Sequence, residues 1–283
     1  MTTTHQRKRL RAHFGLSKNP FAKKMWARHM FDSVSQRELL AGLEMWTELG
    51  GIALVTGPSG VGKSITLRRF VHELDDNRFR VFSFSYLPST VTGFLRSLCR
   101  HLGLPMRLHR TDLFDAAQQH LAEYAEQHGA HPIVVLDDAE GLTGDVVDTL
   151  RRMTAYDLDA EDRFSVLIAG TDEVLRVIRP AHQEPLRTRI TFAHMLHPFN
   201  LEDTRNYVRF HLQRADANPK LFSDAGVTKL FQASQGRPRQ INQLALQALI
   251  GAAVSGRETI DGDFMKRVIQ AHPLYHSSDG ATP

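Results

Sequence analysis

One octapeptide constrains this 283-residue chain more than anything else in it: Gly57-Pro58-Ser59-Gly60-Val61-Gly62-Lys63-Ser64, a full match to G-x-x-x-x-G-K-[ST]. Its flanks are those the motif requires. Ile52-Ala53-Leu54-Val55 reads as a buried strand running into the loop, and Leu67, Phe70, Val71 and Leu74 follow at helical spacing. Glycines let successive backbone N–H groups turn toward one point, and the N-terminus of the following helix adds the positive end of its dipole. Such a loop cradles phosphate oxygens. Lys63 is placed to reach the β- and γ-phosphates of a nucleotide and Ser64 to ligate Mg²⁺, with Ile65 completing the nucleotide-binding set.

The pattern on either side gives a fold class. Short apolar runs rich in β-branched residues alternate with amphipathic stretches. After Ile52–Val55, further strands are predicted at Arg80–Tyr86, Ile133–Leu136, Phe164–Ala169 and Ile190–Leu196. Helices are predicted from about Ser89 to His101, and from a cap at Thr111 or Asp112 through Leu113, Ala117, Leu121 and Tyr124 to a stop at Gly129. Strands separated by helices imply an α/β protein, with a parallel sheet covered by helices on both faces. From Leu201 onward the periodicity is helical only. Ile241, Leu244, Ala245, Ala248, Leu249 and Ala252 form one apolar face closed by Gly256, and Ser223 or Asp224, then Asp261, read as helix caps. The expected divisions are a basic arm over 1–31, a phosphate-loop core over 32–198, a helical domain over 199–272 and a disordered tail over 273–283.

Asp137 and Asp138 stand at the carboxyl end of the third strand, where ligands bind in open α/β sheets. Asp137 is the natural Mg²⁺ partner, and Asp138 sits where a water-activating carboxylate would sit. No N-K-x-D guanine-reading motif occurs, so ATP rather than GTP is expected. With 42% hydrophobic and 23% charged residues the chain is not disordered as a whole. No apolar run approaches the roughly 20 residues of a membrane helix, and the N-terminus lacks the apolar stretch of a signal peptide. The one cysteine, Cys99, makes no intrachain disulfide or cysteine zinc site. A cytoplasmic protein with no membrane partner is the expectation.

Phe14-Gly15-Leu16, Asn19-Pro20-Phe21, the glycine loop, Asp137-Asp138-Ala139-Glu140 and Gly236-Arg237-Pro238-Arg239 occur in this order. Together they resemble the ExeA-type branch of the AAA+ ATPases, which is similar to transposition helper ATPases of the TniB, TnsC and MuB kind. The resemblance implies a five-stranded sheet of order 5-1-4-3-2 and a helical lid. It implies that Phe14, Asn19, Pro20 and Phe21 border the adenine, the other reading being a hydrophobic arm packed on the core. Thr171 matches sensor 1, which orients the water or γ-phosphate; it also reads as a cap for the stretch from Asp172 to Ile178, and the two roles do not exclude one another. Arg239 matches sensor 2, carried by the lid onto the γ-phosphate. Arg187 and Arg189 lie where the family carries its arginine finger, Arg189 being preferred; a finger acts on a neighbouring copy's ATP and so implies a homo-oligomer, ring or filament. The family commonly ends this strand in Asp-Glu. Asp138 is one methylene shorter, and a misplacement of about 1 Å can cost on the order of 10²-fold, so slow turnover is expected. Glu140, two residues on, is the substitute base to weigh.

Charge points to the partner. Residues 1–31 hold eight Lys/Arg, among them Lys8 and Arg9, and no acid, leaving 27 basic against 31 acidic residues elsewhere, a net of −4. A second basic stretch runs through Arg100, His101, Arg107, His109 and Arg110, in the region that supplies the DNA-facing loops of related helper ATPases. No aromatic platform interleaves these cations, so duplex backbone contact without sequence reading fits better than single-strand stacking. The expected function is an ATP-dependent, DNA-binding oligomer that recruits or regulates a transposase or integrase. The alternatives are a secretion or cell-envelope ATPase, whose relatives usually continue into a membrane span and a wall-binding region, and a non-hydrolysing nucleotide switch that scaffolds proteins through the acidic stretch Asp157, Asp159, Glu161 and Asp162.

Overall fold

The computed structural model describes residues 10–22, 30–84, 87–155 and 162–275. They group into two units. The first comprises Val34–Ser59 and Lys63–His197, the second Met1–Ser33, Gly60–Gly62 and Pro198–Pro283.

The first unit is an α/β layer structure in the order α1 (Val34–Leu49), β1 (Ile52–Thr56), α2 (Lys63–Glu73), β2 (Phe79–Phe84), α3 (Val91–His101), α4 (Arg110–His128), β3 (His131–Leu136), α5 (Gly144–Thr154), β4 (Ser165–Gly170), α6 (Glu173–Ile178), α7 (Glu184–Arg187) and β5 (Ile190–Met195). The sheet order is β2-β3-β4-β1-β5, all pairs parallel, which is the order the resemblance implied. Every residue of β1 and β4 is buried, as continuous apolar strands covered on both faces require. The core joins Ile52, Val134, Leu136 and Ile168 of the sheet to Phe94, Leu98, Leu121 and Leu150 of the covering helices.

Three local expectations need correction. The second strand ends at Phe84, and Tyr86 lies outside the described residues. Helix α4 starts at Arg110, earlier than a Thr111 or Asp112 cap allows: its N-cap position is His109, whose carbonyl takes the Leu113 N–H at 3.2 Å, and no side chain caps it. The long helix α1 escaped notice in the sequence, although Gln36, Leu39, Leu43 and Trp46 form its buried face at helical spacing.

The second unit holds α8 (Leu201–Gln213), α9 (Asp224–Ser234), α10 (Pro238–Ser255) and α11 (Gly262–Ala271). Asn200, Ser223 and Asp261 cap α8, α9 and α11, each accepting a first-turn backbone N–H. The predicted apolar face of α10 is buried in full and Gly256 closes it in the left-handed conformation. One extended contact interrupts the helical pattern, a parallel bridge between Phe222 and Ile260. Leu10, Leu16 and Phe21 from the chain's start join this unit's core. Of the predicted tail, residues 276–283 lie outside the described residues, while the Tyr275 hydroxyl donates to Gln243 Oε1 at 3.0 Å.

Candidate nucleotide site

The glycine loop leaves the carboxyl end of β1. Gly57, Gly60 and Gly62 have φ of 150°, 80° and 115°, values a side chain would strain, so the loop's path depends on glycine. Lys63 opens α2 with only 6% of its surface exposed. Its ammonium donates to the carbonyls of Gly57 at 2.7 Å and Pro58 at 3.3 Å. Those bonds fold the side chain back over the loop it would serve. Ser59 is exposed, Pro58, Gly60, Gly62, Ser64 and Ile65 are half-buried, and Val61 is buried.

β3 and β4 are neighbours, so their carboxyl ends deliver Asp137, Asp138, Glu140 and Thr171 to one edge of the sheet. Asp138 takes the left-handed backbone conformation, φ 53° and ψ 47°, and its N–H donates to Asp137 Oδ1 at 3.0 Å. Glu140 sits in a short 3-10 turn and its Oε1 accepts the Thr171 N–H at 2.7 Å. Thr171 does not cap α6 with its side chain, because the N-cap position is Asp172 and no side-chain cap bond forms there. The hydroxyl of Ser64 and the carboxylate of Asp137 are hard oxygen donors of the kind Mg²⁺ takes alongside phosphate and water. The donor chemistry of the loop and strand ends therefore fits a magnesium-bound nucleoside triphosphate.

The two candidate finger arginines are used differently. Arg187 donates from one nitrogen to the carbonyls of Ile178 at 3.2 Å, Arg179 at 2.9 Å and Pro180 at 2.6 Å. It thus holds the open carbonyl end of α6. Arg189 is half-buried and lines a 420 Å³ cavity with Gly51, Arg151, Asp162, Pro185, Thr188 and Thr191. The preference for Arg189 in the sequence could not rest on these contacts, since the carbonyls that hold Arg187 lie seven to nine residues away.

In the second unit Arg239 is exposed and its backbone N–H donates to the Gly60 carbonyl at 3.2 Å. The Asn19-Pro20-Phe21 segment is tightly held there. Phe21 is 4% exposed and edge-on to Phe222, its N–H donates to Asn19 Oδ1 at 3.0 Å, and the Pro20 carbonyl lies 2.7 Å from His211 Nδ1. Burial, with nearby Arg214, pushes the His211 pKa down to about 4, although the bond to Pro20 favours its charged form. His211 is therefore neutral, with Nδ1–H donating. Phe14 and Asn19 keep partly exposed side chains.

Of the residues expected to meet DNA, Arg100 in the last turn of α3, Arg107 and His109 in the turn that follows, and Arg110 at the start of α4 are all exposed. Lys8 and Arg9 lie outside the described residues, as do Asp157, Asp159 and Glu161 of the acidic stretch; Asp162 is exposed. No helix among the described residues is long and apolar enough to cross a membrane.

Comparison with known proteins agrees with this geometry. Residues 47–178 match the family model described as AAA domain. The chain is 30% identical over 255 residues to General secretion pathway protein A of Aeromonas hydrophila, an alignment covering 87% of this chain and 45% of that one. The chain thus spans less than half the length of this curated relative. Among solved structures it resembles Cdc6p from Pyrobaculum aerophilum, at 17% identity and TM-score 0.71 over 90% of this chain and 71% of that one. It also resembles the ORC1 protein of Aeropyrum pernix solved in complex with DNA, at 15% identity and TM-score 0.63 over 89% and 69%. At such identities the likeness is one of fold. The chain has the AAA P-loop NTPase fold, with residues 47–178 matching the AAA domain itself.

Proposed function

We propose that this chain binds ATP with Mg²⁺, hydrolyses it slowly, and as a homo-oligomer engages duplex DNA without sequence preference to recruit or regulate a transposase or integrase. The complete glycine loop between β1 and α2 supports the nucleotide half. The observation that carries the DNA half is the stretch from Arg100 to Arg110, which presents five exposed cations or imidazoles and no acid. Such a stretch matches a phosphate backbone and would give salt-sensitive binding.

The residues divide the chemistry as follows. The loop from Gly57 to Gly62, with Ser64 and Ile65, would hold phosphate oxygens by backbone N–H groups, and Lys63 would leave its carbonyl partners for the β- and γ-phosphates. Ser64 and Asp137 would hold Mg²⁺, which supplies charge neutralisation at the transferred phosphoryl group. Asp138 would take the proton of the attacking water, Glu140 being engaged with Thr171. Thr171 would orient that water. Arg239 would meet the γ-phosphate, Arg189 of a neighbouring copy would complete the site, and the partly exposed Phe14 and Asn19 would border the adenine, while the buried Pro20 and Phe21 fit the other reading, an arm packed on the core.

The test is binding of the pure protein to random duplex DNA with and without a non-hydrolysable ATP analogue, across a salt series. Nucleotide-dependent, salt-sensitive binding supports the proposal. Nucleotide binding with no affinity for DNA at low salt rejects the DNA half. A second reading, a secretion or cell-envelope ATPase, is favoured by the 30% identity to the Aeromonas hydrophila protein. It predicts binding to membrane or cell-wall preparations in place of DNA.

A further inference from the structure

The turn between α3 and α4 carries something a phosphate-binding loop does not need. Leu108 is 84% exposed and Met106 is 51% exposed, and they alternate with Arg107 and His109. Leaving two large apolar side chains in water forgoes the gain from their burial, and nothing in the fold recovers it. They are not a frayed end, because both roots of the turn are anchored. On one side Leu102 is buried, and Leu104, whose N–H donates to the Cys99 carbonyl at 2.8 Å, packs on the core. On the other, the His109 carbonyl accepts the Leu113 N–H, and Leu113 is fully buried. Pro105 fixes its own φ and disfavours the helical conformation at Leu104, so α3 does not continue into the tip from Pro105 to Leu108.

The turn itself carries charge of one sign: from Arg100 to Arg110 there are three arginines and no acid, the next acids being the exposed Asp112 and Asp115 of α4. Arg100, Arg107 and Arg110 flank the tip, exposed and without an ion pair among the described residues. The surface therefore suits a partner that is anionic outside and apolar within reach. Duplex DNA has that layering: phosphates on the rim, stacked bases behind them. Leu, Met and Pro are residue types that wedge between base steps, with nearby cations on the flanking phosphates.

We infer that Leu108 and Met106 form an apolar wedge that enters a groove of bound DNA and partly unstacks a base step, while Arg107, Arg110 and Arg100 hold the phosphates beside it. This rests on the DNA reading above and adds a deformation of the duplex to it.

The experiment uses the full chain with a non-hydrolysable ATP analogue and duplexes bearing 2-aminopurine, whose fluorescence rises on unstacking. Wild type is expected to bind and raise the signal. The double variant Met106→Ser, Leu108→Ser is expected to bind roughly tenfold more weakly and to leave the signal of its saturated complex at that of free duplex. Arg107→Ala is expected to weaken binding and lower the salt slope by about one, with the signal at saturation kept. These side chains are exposed, and an unchanged melting temperature confirms that each variant is folded. If wild type binds duplex without a rise, or the double variant raises it equally, the wedge is overturned and the DNA reading stands. If wild type binds no duplex, the DNA reading itself has failed. Binding to phosphatidylglycerol vesicles but not to DNA, abolished by Leu108→Ser, would assign the tip to a bilayer and overturn the wedge.

Discussion

At Asp138 a side-chain carboxylate sits on a left-handed backbone, a conformation that asparagine adopts as readily as aspartate. Asp138→Asn therefore keeps the fold and tests the chemistry alone. It should lower steady-state phosphate release by about 10²-fold or more while leaving ATP binding intact, as loss of a general base does. Asp138→Glu restores the missing methylene and should raise turnover above that of the native chain. A brisk native rate, lost in Asp138→Asn, would show that the short carboxylate is already well placed. Lys63→Ala removes the ammonium now bonded to the Gly57 and Pro58 carbonyls and should abolish measurable heat of ATP binding in calorimetry. The glycine loop and the acidic pair were legible in the sequence because each is a run of adjacent residues. The bond from Glu140 to Thr171 was not, since it spans 31 positions and exists only because β3 and β4 are neighbours.

Among the elements, α8 carries a titration that the sequence did not announce. His211 is buried against Pro20 and Phe21 with its pKa lowered from 6.5 to about 4. The unfolded chain therefore binds this proton more readily than the folded one. The stability contributed is fully present above pH 6.5 and is lost as the pH falls toward 4, amounting to about 3 kcal/mol over that window. Melting temperatures between those limits should fall more steeply for the native chain than for His211→Gln. Gly236, between α9 and α10, gives a second test. A Cβ there would stand 1.9 Å from the Phe199 carbonyl oxygen, on a backbone of φ +68°. Gly256 has the same φ but no atom within 4 Å. Gly236→Ala should cost more than about 3 kcal/mol, and Gly256→Ala about 1 kcal/mol, both read from denaturant unfolding. The Gly-x-Pro-Arg signature thus has a packing reason at its glycine, apart from any role of its arginine.

At the scale of the proposed assembly, the arginine to test is Arg189. Arg187 is held by three carbonyls, so its replacement should lower stability before it lowers turnover. Arg189→Ala should keep ATP binding and lose roughly 10³-fold in turnover, the scale at which arginine fingers act. Neither Arg189→Ala nor Lys63→Ala protein should turn over alone. Mixed, they should regain activity, because one copy supplies the finger and the other an intact loop. No recovery on mixing would place Arg189 outside a shared site, and specific activity independent of protein concentration would say the same.

What the sequence determined by itself was local and periodic: the phosphate loop, five strands of the parallel sheet, the buried face of α10 and the cap at Asp261, with the other cap narrowed to Ser223 or Asp224. Each follows from residues within a few positions of one another, where backbone preference and side-chain spacing act directly. The tertiary structure alone decided that Glu140 binds Thr171, that Arg187 holds the end of α6 while Arg189 faces a cavity, that Phe21 is core, and that Leu108 projects into water. Those outcomes depend on which distant segments the parallel sheet and the helical core bring side by side, and no short-range pattern encodes that choice.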